Sequence, residues 1–256
     1  MNDKIANAIA EQAWFRNWFD SRFYHILYAN RDEREAATFI DGLFDLFHPT
    51  RGARALDLGC GRGRHSKYLA SKGFDVTGID LAASSIEVAQ HWQHDNLRFF
   101  RQDMRVPFGV DEFDFVFSFF TSFGYFEDTR DDHQVIENIA SALLPGGSLV
   151  IDYINSPYAE KRLHASEIRD IDGITYQLDR WTDDFHFYKK ITIKEALFDK
   201  PLAFTERIRK FSKDDFAMLF SAHGLTLTHL FGDYALGDYN SQTSPRMILV
   251  AKKQTV

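Results

Sequence analysis

Three glycines and three acids carry the chemistry that can be read from this sequence. The stretch ALDLGCGRGRHSKYLA, residues 55–70, ends an apolar run in Asp57 and passes into Gly59, Cys60, Gly61 and Gly63. A glycine turn at the C-terminal end of a parallel strand lets backbone approach a ligand and aims N–H groups at it. The spacing is G-x-G-x-G, whereas dinucleotide folds favour G-x-G-x-x-G to seat a pyrophosphate against the helix N-terminus. A carboxylate two residues ahead of the glycines would repel a pyrophosphate and suits a ligand with an ammonium group. Asp80 closes the next apolar run, VTGID, with Leu81 beside it. From that position an acid accepts hydrogen bonds from both ribose hydroxyls. Asp103 in FRQDM would accept from an adenine amino group while Met104 packs on the ring face. Any one acid could be a turn or cap residue; three at successive strand ends describe one nucleoside that also carries an ammonium group. S-adenosylmethionine has those parts.

These residues need strands to end where the acids stand. Short apolar runs, RALDLG, FDVTGID, LRFFRQD, FDFVFSFF and GSLVIDYI, alternate with helical patterns at about 64–72, 83–93 and 130–144. Strands alternating with helices predict a parallel sheet covered on both faces. Gly73 and the pair Gly146-Gly147 are read as helix C-caps. Ahead of this region, residues 3–20 and then Ala36 to Phe47 have apolar positions at helical spacing, the second run closed by His48-Pro49. From 157 to 210 the rhythm becomes polar–apolar alternation around Asp183-Asp184, which predicts an antiparallel lobe built on a hairpin. SKDDFAMLFSAHG, GLTLTHLF and PRMILVAKK then resume the helix–strand pattern. The expected organisation is a main domain of residues 1–156 and 211–256 with an inserted β lobe at 157–210.

The totals narrow the partners. Of 256 residues, 45% are hydrophobic and 26% charged, enough for a large core. A net charge of −7 argues against a broad nucleic-acid surface, which would need clustered Lys and Arg. No apolar run is long enough to span a membrane, and the first residues lack the basic start and apolar centre of an export signal, so a cytoplasmic protein is expected. One cysteine, Cys60, allows no internal disulfide and no cysteine-ligated metal.

The motifs DLGCGRG, VTGID, FRQDM, FDFVFSFFTSFGYF and LLPGGSLVIDYIN together resemble the class I S-adenosylmethionine-dependent methyltransferases, along nearly the whole chain. FYHILYANRDE and FGDYALGDYNSQTSPRMILVAKK resemble one bacterial subgroup with small-molecule acceptors. The resemblance implies a Rossmann-like, doubly wound α/β sheet of seven strands ordered 3-2-1-4-5-7-6, with strand seven antiparallel. It implies S-adenosylmethionine as methyl donor and S-adenosylhomocysteine as product, and it implies that Tyr24, Tyr28 and Arg31 close over the methionine end. Gly59, Cys60, Gly61 and Phe119 join the acids in the expected cofactor site. One departure is Ala83, where many relatives have a serine capping the helix.

Methyl transfer from a sulfonium is an in-line displacement, so the protein mainly aligns the partners and excludes water. The aromatic stretch Phe119 to Tyr125 suits an acceptor pocket, with Ser122, Tyr125, Tyr153 at the end of the fifth strand and His186 in the hairpin as acceptor-side candidates. Tyr125 and Tyr153 could equally be core, His186 an ordinary strand histidine and Cys60 a small filler. No Asn-Pro-Pro-Tyr or Asp-Pro-Pro-Tyr follows the fourth strand, which disfavours methylation of base amines. No metal is expected. The expected acceptor is a nitrogen or oxygen of a small molecule, and the expected assembly a monomer or homodimer. Aminopropyl transfer and cofactor binding without chemistry are the alternatives.

Overall fold

The computed structural model describes residues 14–29 and 33–255. Two compact units emerge: among described residues, one comprises 14–29, 124–127 and 159–210, and the other 33–123, 128–158 and 211–255.

The larger unit is built on a seven-stranded sheet. Its elements are α3 (Glu33–Phe47), β1 (Arg54–Leu58), α4 (Arg64–Ser71), β2 (Asp75–Asp80), α5 (Ala83–Gln90), β3 (Leu97–Arg101), β4 (Phe113–Ser118), α6 (Thr129–Ala142), β5 (Leu143–Ile154), α8 (Lys213–Ser221), β10 (Leu225–Phe231) and β11 (Arg246–Lys253). The order is β10-β11-β5-β4-β1-β2-β3, with β11 antiparallel to both neighbours, as expected for the seven-stranded fold. The central strands are apolar on both faces because both faces are covered: Ala55, Leu56, Val76, Val116, Leu149, Val150 and Ile151 are fully buried. On β4 the alternate residues Phe115 and Phe117 stack in line with Phe119 just beyond the strand, with ring centroids 5.9 and 5.3 Å apart. Phe39 of α3 meets Phe119 edge-on.

Helix starts follow local chemistry. Asp128 caps α6 by accepting from the Arg130 N–H, with Asp131 and Asp132 in the first turn, and Ser212 and Asp215 form a capping box on α8. Two expectations shift. The cap of α5 is Ala82 rather than Ala83, and no side chain of the cap residue bonds the helix. Gly146 and Gly147 lie inside β5 rather than at the end of α6, which stops at Ala142. The expected helix over residues 3–20 begins outside the described residues.

The smaller unit pairs two short helices, α1 (Trp14–Phe19) and α2 (Arg22–Leu27), with a four-stranded antiparallel meander of β6 (Ser166–Ile171), β7 (Ile174–Thr182), β8 (His186–Lys194) and β9 (Leu202–Arg209). A short helix, α7 (Ser156–Lys161), precedes it. The polar–apolar alternation buries one face: Ile174, Tyr176, Leu178, Ile191 and Ile193 pack with Trp18, Phe23 and Leu27. The helices of residues 14–27 thus belong with the β lobe, not with the main domain to which the sequence reading gave them. Trp18 decides this: its ring packs 4.8 Å from Phe204 and its Nε1–H donates to Glu206 at 2.7 Å. The Asp183 turn is as expected, with Asp183 accepting from the N–H groups of Phe185 and His186. Among the described residues, no helix is long and apolar enough to cross a membrane.

Candidate functional site

The parallel register sets Asp57 of β1 opposite Gly78 of β2, so Asp80 stands two residues further along at the same end of the sheet. Between them the chain turns through Gly59, whose φ of +78° most side chains avoid. A Cβ there would also lie 2.7 Å from Cβ of Ser122. Gly63, at φ +80°, caps α4, and a Cβ on it would strike the Phe99 ring at 2.6 Å. Glycine is therefore required by backbone angle and by close approach at both ends of the loop.

The two acids are held differently. Asp80 Oδ2 accepts from the Gly61 N–H and Oδ1 from the Ala82 N–H, both at 2.8 Å, so one carboxylate sets the glycine loop and starts α5. Asp57 is 1% exposed, and Ser66 Oγ in the first turn of α4 donates to its Oδ2 at 2.5 Å. Desolvation raises its pKa to about 7, against the lowering effect of Ser66 and with the Asp80 charge adding to the rise. Such a carboxyl is poised for a cation that would keep it ionised. Cys60 is buried, and burial together with Asp57 and Asp80 holds its thiol well above the ordinary range, so it is protonated and inert. Leu81 is half-buried and its carbonyl accepts from Arg101 Nε.

Asp103 is not the open acceptor that the sequence suggested. The Arg105 guanidinium forks onto both of its oxygens, Nε to Oδ1 at 3.0 Å and Nη2 to Oδ2 at 2.7 Å, and Nη1 reaches Asp131. The charge at this strand end is thus largely neutralised within the chain. The neighbouring Met104 carbonyl accepts from Asn138 Nδ2.

The segment after β4 carries a feature with no counterpart in the sequence reading. Phe120 and Thr121 both adopt left-handed backbone, φ +57° and +60°, costing about 1–2 kcal/mol each for a side-chain-bearing residue. Asp152 of β5 holds them: its Oδ2 accepts from the Phe120 N–H at 2.8 Å, and its carbonyl accepts from the Thr121 N–H at 2.9 Å. Arg246, at the start of β11, donates from Nε to Asp152 Oδ1 at 2.6 Å and from Nη2 to Thr121 Oγ1 at 2.8 Å. Tyr234 OH donates to Asp152 Oδ2 at 3.0 Å. Asn155, fully buried three residues on, just past β5, donates to the Ser244 carbonyl at 2.7 Å and accepts from Tyr239 OH, fastening the segment that leads into β11. Phe119 is 3% exposed and lies under the His65 ring at 4.6 Å. Ser122 donates to the Phe119 carbonyl at 2.9 Å and stays half-buried beside Gly59. Tyr153, an acceptor-side candidate, is corrected to core: it is fully buried, its ring 5.0 Å from Phe216.

The remaining candidates belong to the smaller unit. Tyr28 OH donates to Glu206 Oε1 at 3.1 Å and accepts from Lys189 Nζ, which also pairs with Glu206 Oε2 at 2.5 Å. The Tyr24 ring packs against those of Trp18, Phe19 and Tyr28. Tyr125 lies against Trp14 and Phe19. His186 is mostly buried; desolvation and the Arg207 charge lower its pKa, so the ring is neutral near pH 7, and its Nε2 has no hydrogen-bond partner among the described residues. Arg31 lies outside the described residues. Ser66, Arg105, Asn155, Tyr234 and Arg246 were missed in the sequence. Arg246 alone had a signal, a cation opening an otherwise apolar strand.

Comparison with known proteins bears on this arrangement. The model of the family described as methyltransferase domain matches residues 55–147, the stretch from the start of β1 to the opening of β5. Over that stretch the chain is similar to methyltransferase domains. Over 149 residues the chain is 30% identical to glycine N-methyltransferase of Rattus norvegicus, covering 52% of this chain and 50% of that one. Over 109 residues it is 34% identical to a ubiquinone biosynthesis O-methyltransferase of Coxiella burnetii, covering 41% and 45%. The chain thus spans about half the length of the curated relatives it matches. Its fold follows that of an S-adenosylmethionine-dependent methyltransferase from Clostridium acetobutylicum along 99% of both chains, with a TM-score of 0.75 at 17% identity. The family's cofactor fits the residues present. A buried carboxyl at Asp57 awaits a cation, Asp80 is fixed by backbone donors, and the glycine loop leaves no room for a Cβ at Gly59 or Gly63. Among the described residues no cluster of three or more His, Cys, Asp or Glu is suited to a metal ion.

Proposed function

We propose that this chain transfers a methyl group from S-adenosylmethionine to a nitrogen or oxygen of a small-molecule acceptor by direct in-line displacement. The observation that carries the reading is the pair of carboxylates, Asp57 and Asp80, ending adjacent parallel strands on either side of the glycine loop. Asp57 would take the ammonium of the methionine end, and Asp80 would accept from the ribose hydroxyls. Gly59, Cys60 and Gly61 would line the cofactor with main chain, while Leu81, Met104 and Phe119 would supply apolar surface near the base and sulfur. Bound there, the sulfonium supplies an electrophilic methyl group and leaves as a neutral thioether. The chain's own residues bind, orient and exclude water, which is most of what this displacement requires. Ser122, beside Gly59, would face the acceptor.

The relatives support the reading at this grain, since one is named for a nitrogen acceptor and another for an oxygen acceptor. Titration calorimetry with S-adenosylmethionine, S-adenosylhomocysteine and NAD tests the cofactor. Tight binding of the two S-adenosyl compounds is expected, and binding of NAD alone would overturn the assignment. Incubation of a metabolite extract with methyl-labelled donor then identifies the acceptor by the labelled product.

A further inference from the structure

The geometry points to Arg246 and Asp152 as positioning residues of the methyl-transfer site, shaping it by holding the Phe119–Ser122 segment in a backbone form that it would not adopt alone. This rests on the function proposed above.

Two consecutive left-handed residues, one of them β-branched, are an arrangement that local sequence opposes. Four side-chain or main-chain bonds from elsewhere in the chain enforce it. Asp152 accepts both amide N–H groups, one on its carboxylate and one on its carbonyl; Arg246 grips Asp152 with Nε and Thr121 with Nη2. Tyr234 occupies a further lone pair of the same carboxylate oxygen. The segment so held bears directly on the glycine loop. Ser122 stands where a Cβ on Gly59 would collide with it, and its Oγ lies 3.5 Å from the Gly59 carbonyl. Two guanidinium groups, of Arg64 at the start of α4 and of Arg246, each lie 5.8 Å from the Phe120 ring centroid. If the pair were lost, Phe120 and Thr121 would relax toward right-handed angles and Ser122 would withdraw from Gly59. The ion pair acts on the segment through the Phe120 and Thr121 amides and the Thr121 hydroxyl.

The test compares wild type, Arg246→Met, Arg246→Lys and Thr121→Gly alone and combined with Arg246→Met, using S-adenosylhomocysteine as calorimetric probe and thermal melting as the check on folding. Arg246→Met is expected to weaken binding at least tenfold. Arg246→Lys, which keeps the charge beside Asp152 but loses the second N–H for Thr121, should weaken it by a smaller factor. Thr121→Gly added to Arg246→Met should recover at least threefold, because glycine holds the left-handed angle without help. A pair that only stabilised the fold would lower the melting temperature without that rescue. Wild-type affinity in folded Arg246→Met or Arg246→Lys, or no recovery in the double variant, would overturn the assignment. If Arg246→Met does not fold, Arg246→Lys decides. Failure of the wild type to bind the probe would instead sink the cofactor reading, and this inference with it.

Discussion

The buried acids of the two units are engaged differently. In the smaller unit Glu206 receives Trp18 Nε1–H and Tyr28 OH and pairs with Lys189, every contact running from side chain to side chain. In the larger unit several buried and half-buried polar groups also reach main chain. Asp80 binds the amides of Gly61 and Ala82, Asp152 the amide of Phe120, and Asn155 the carbonyl of Ser244. Side-chain networks fasten one element to another. Acids that bind backbone fix the path of a loop, and loops at strand ends form ligand sites. Damage to the first kind should register as lost stability, and damage to the second as lost affinity.

The largest effect expected from this contrast is on stability. Lys189→Met leaves Glu206 buried without its cation and should cost about 3–5 kcal/mol by denaturant unfolding. In the Lys189→Met, Glu206→Gln double variant the loss should be clearly smaller, since no uncompensated charge remains. A double variant as unstable as the single would erase the distinction between the units.

Next comes affinity. Asp80→Ala should weaken S-adenosylmethionine binding by about 1–3 kcal/mol, since it strands buried hydroxyls and two amides together. Melting of the free protein should change less than binding does. Equal affinity in variant and wild type would remove Asp80 from the site.

The smallest effect concerns the pH dependence of Asp57, whose carboxyl sits at about 7 when folded, above its unfolded value of 3.8. A raised carboxyl pKa contributes stability that is full below the unfolded value and is lost as pH climbs to the folded one. The free protein should therefore lose stability across that window. Ligand binding goes the other way, because a cation prefers the ionised form. Affinity should rise up to about tenfold per pH unit toward pH 7, with proton uptake by the buffer, and flatten above it. Calorimetry in buffers of different ionisation enthalpy measures the released proton; pH-independent binding without release would show Asp57 already ionised.

What was legible in the sequence follows from the same contrast. Strand ends, the glycine loop, Asp57 and Asp80 are local signals, because an apolar run followed by an acid and glycines can be read within ten residues. The seven-strand order came with the family resemblance. The assignment of α1 and α2 was hidden because it depends on Trp18 finding Glu206, which no window of sequence contains. Asp152 was visible only as an acid near a strand end, and Arg246 as a cation in an apolar strand; that they meet over Thr121 requires the register of β5 against β11. Tyr153 was misread because a tyrosine at a strand tip looks available until the packing of Phe216 is known. Asp103 was misread because Arg105 folds back on it from two residues away.

The hydrogen bond from Trp18 to Glu206 spans 188 residues of chain. During synthesis the amino-terminal helices leave the ribosome long before the strand that covers them exists. Their aromatic faces stay wet while the whole β1 to β5 region is made and find cover only when β7 to β9 emerge, just before α8, β10 and β11 complete the larger sheet.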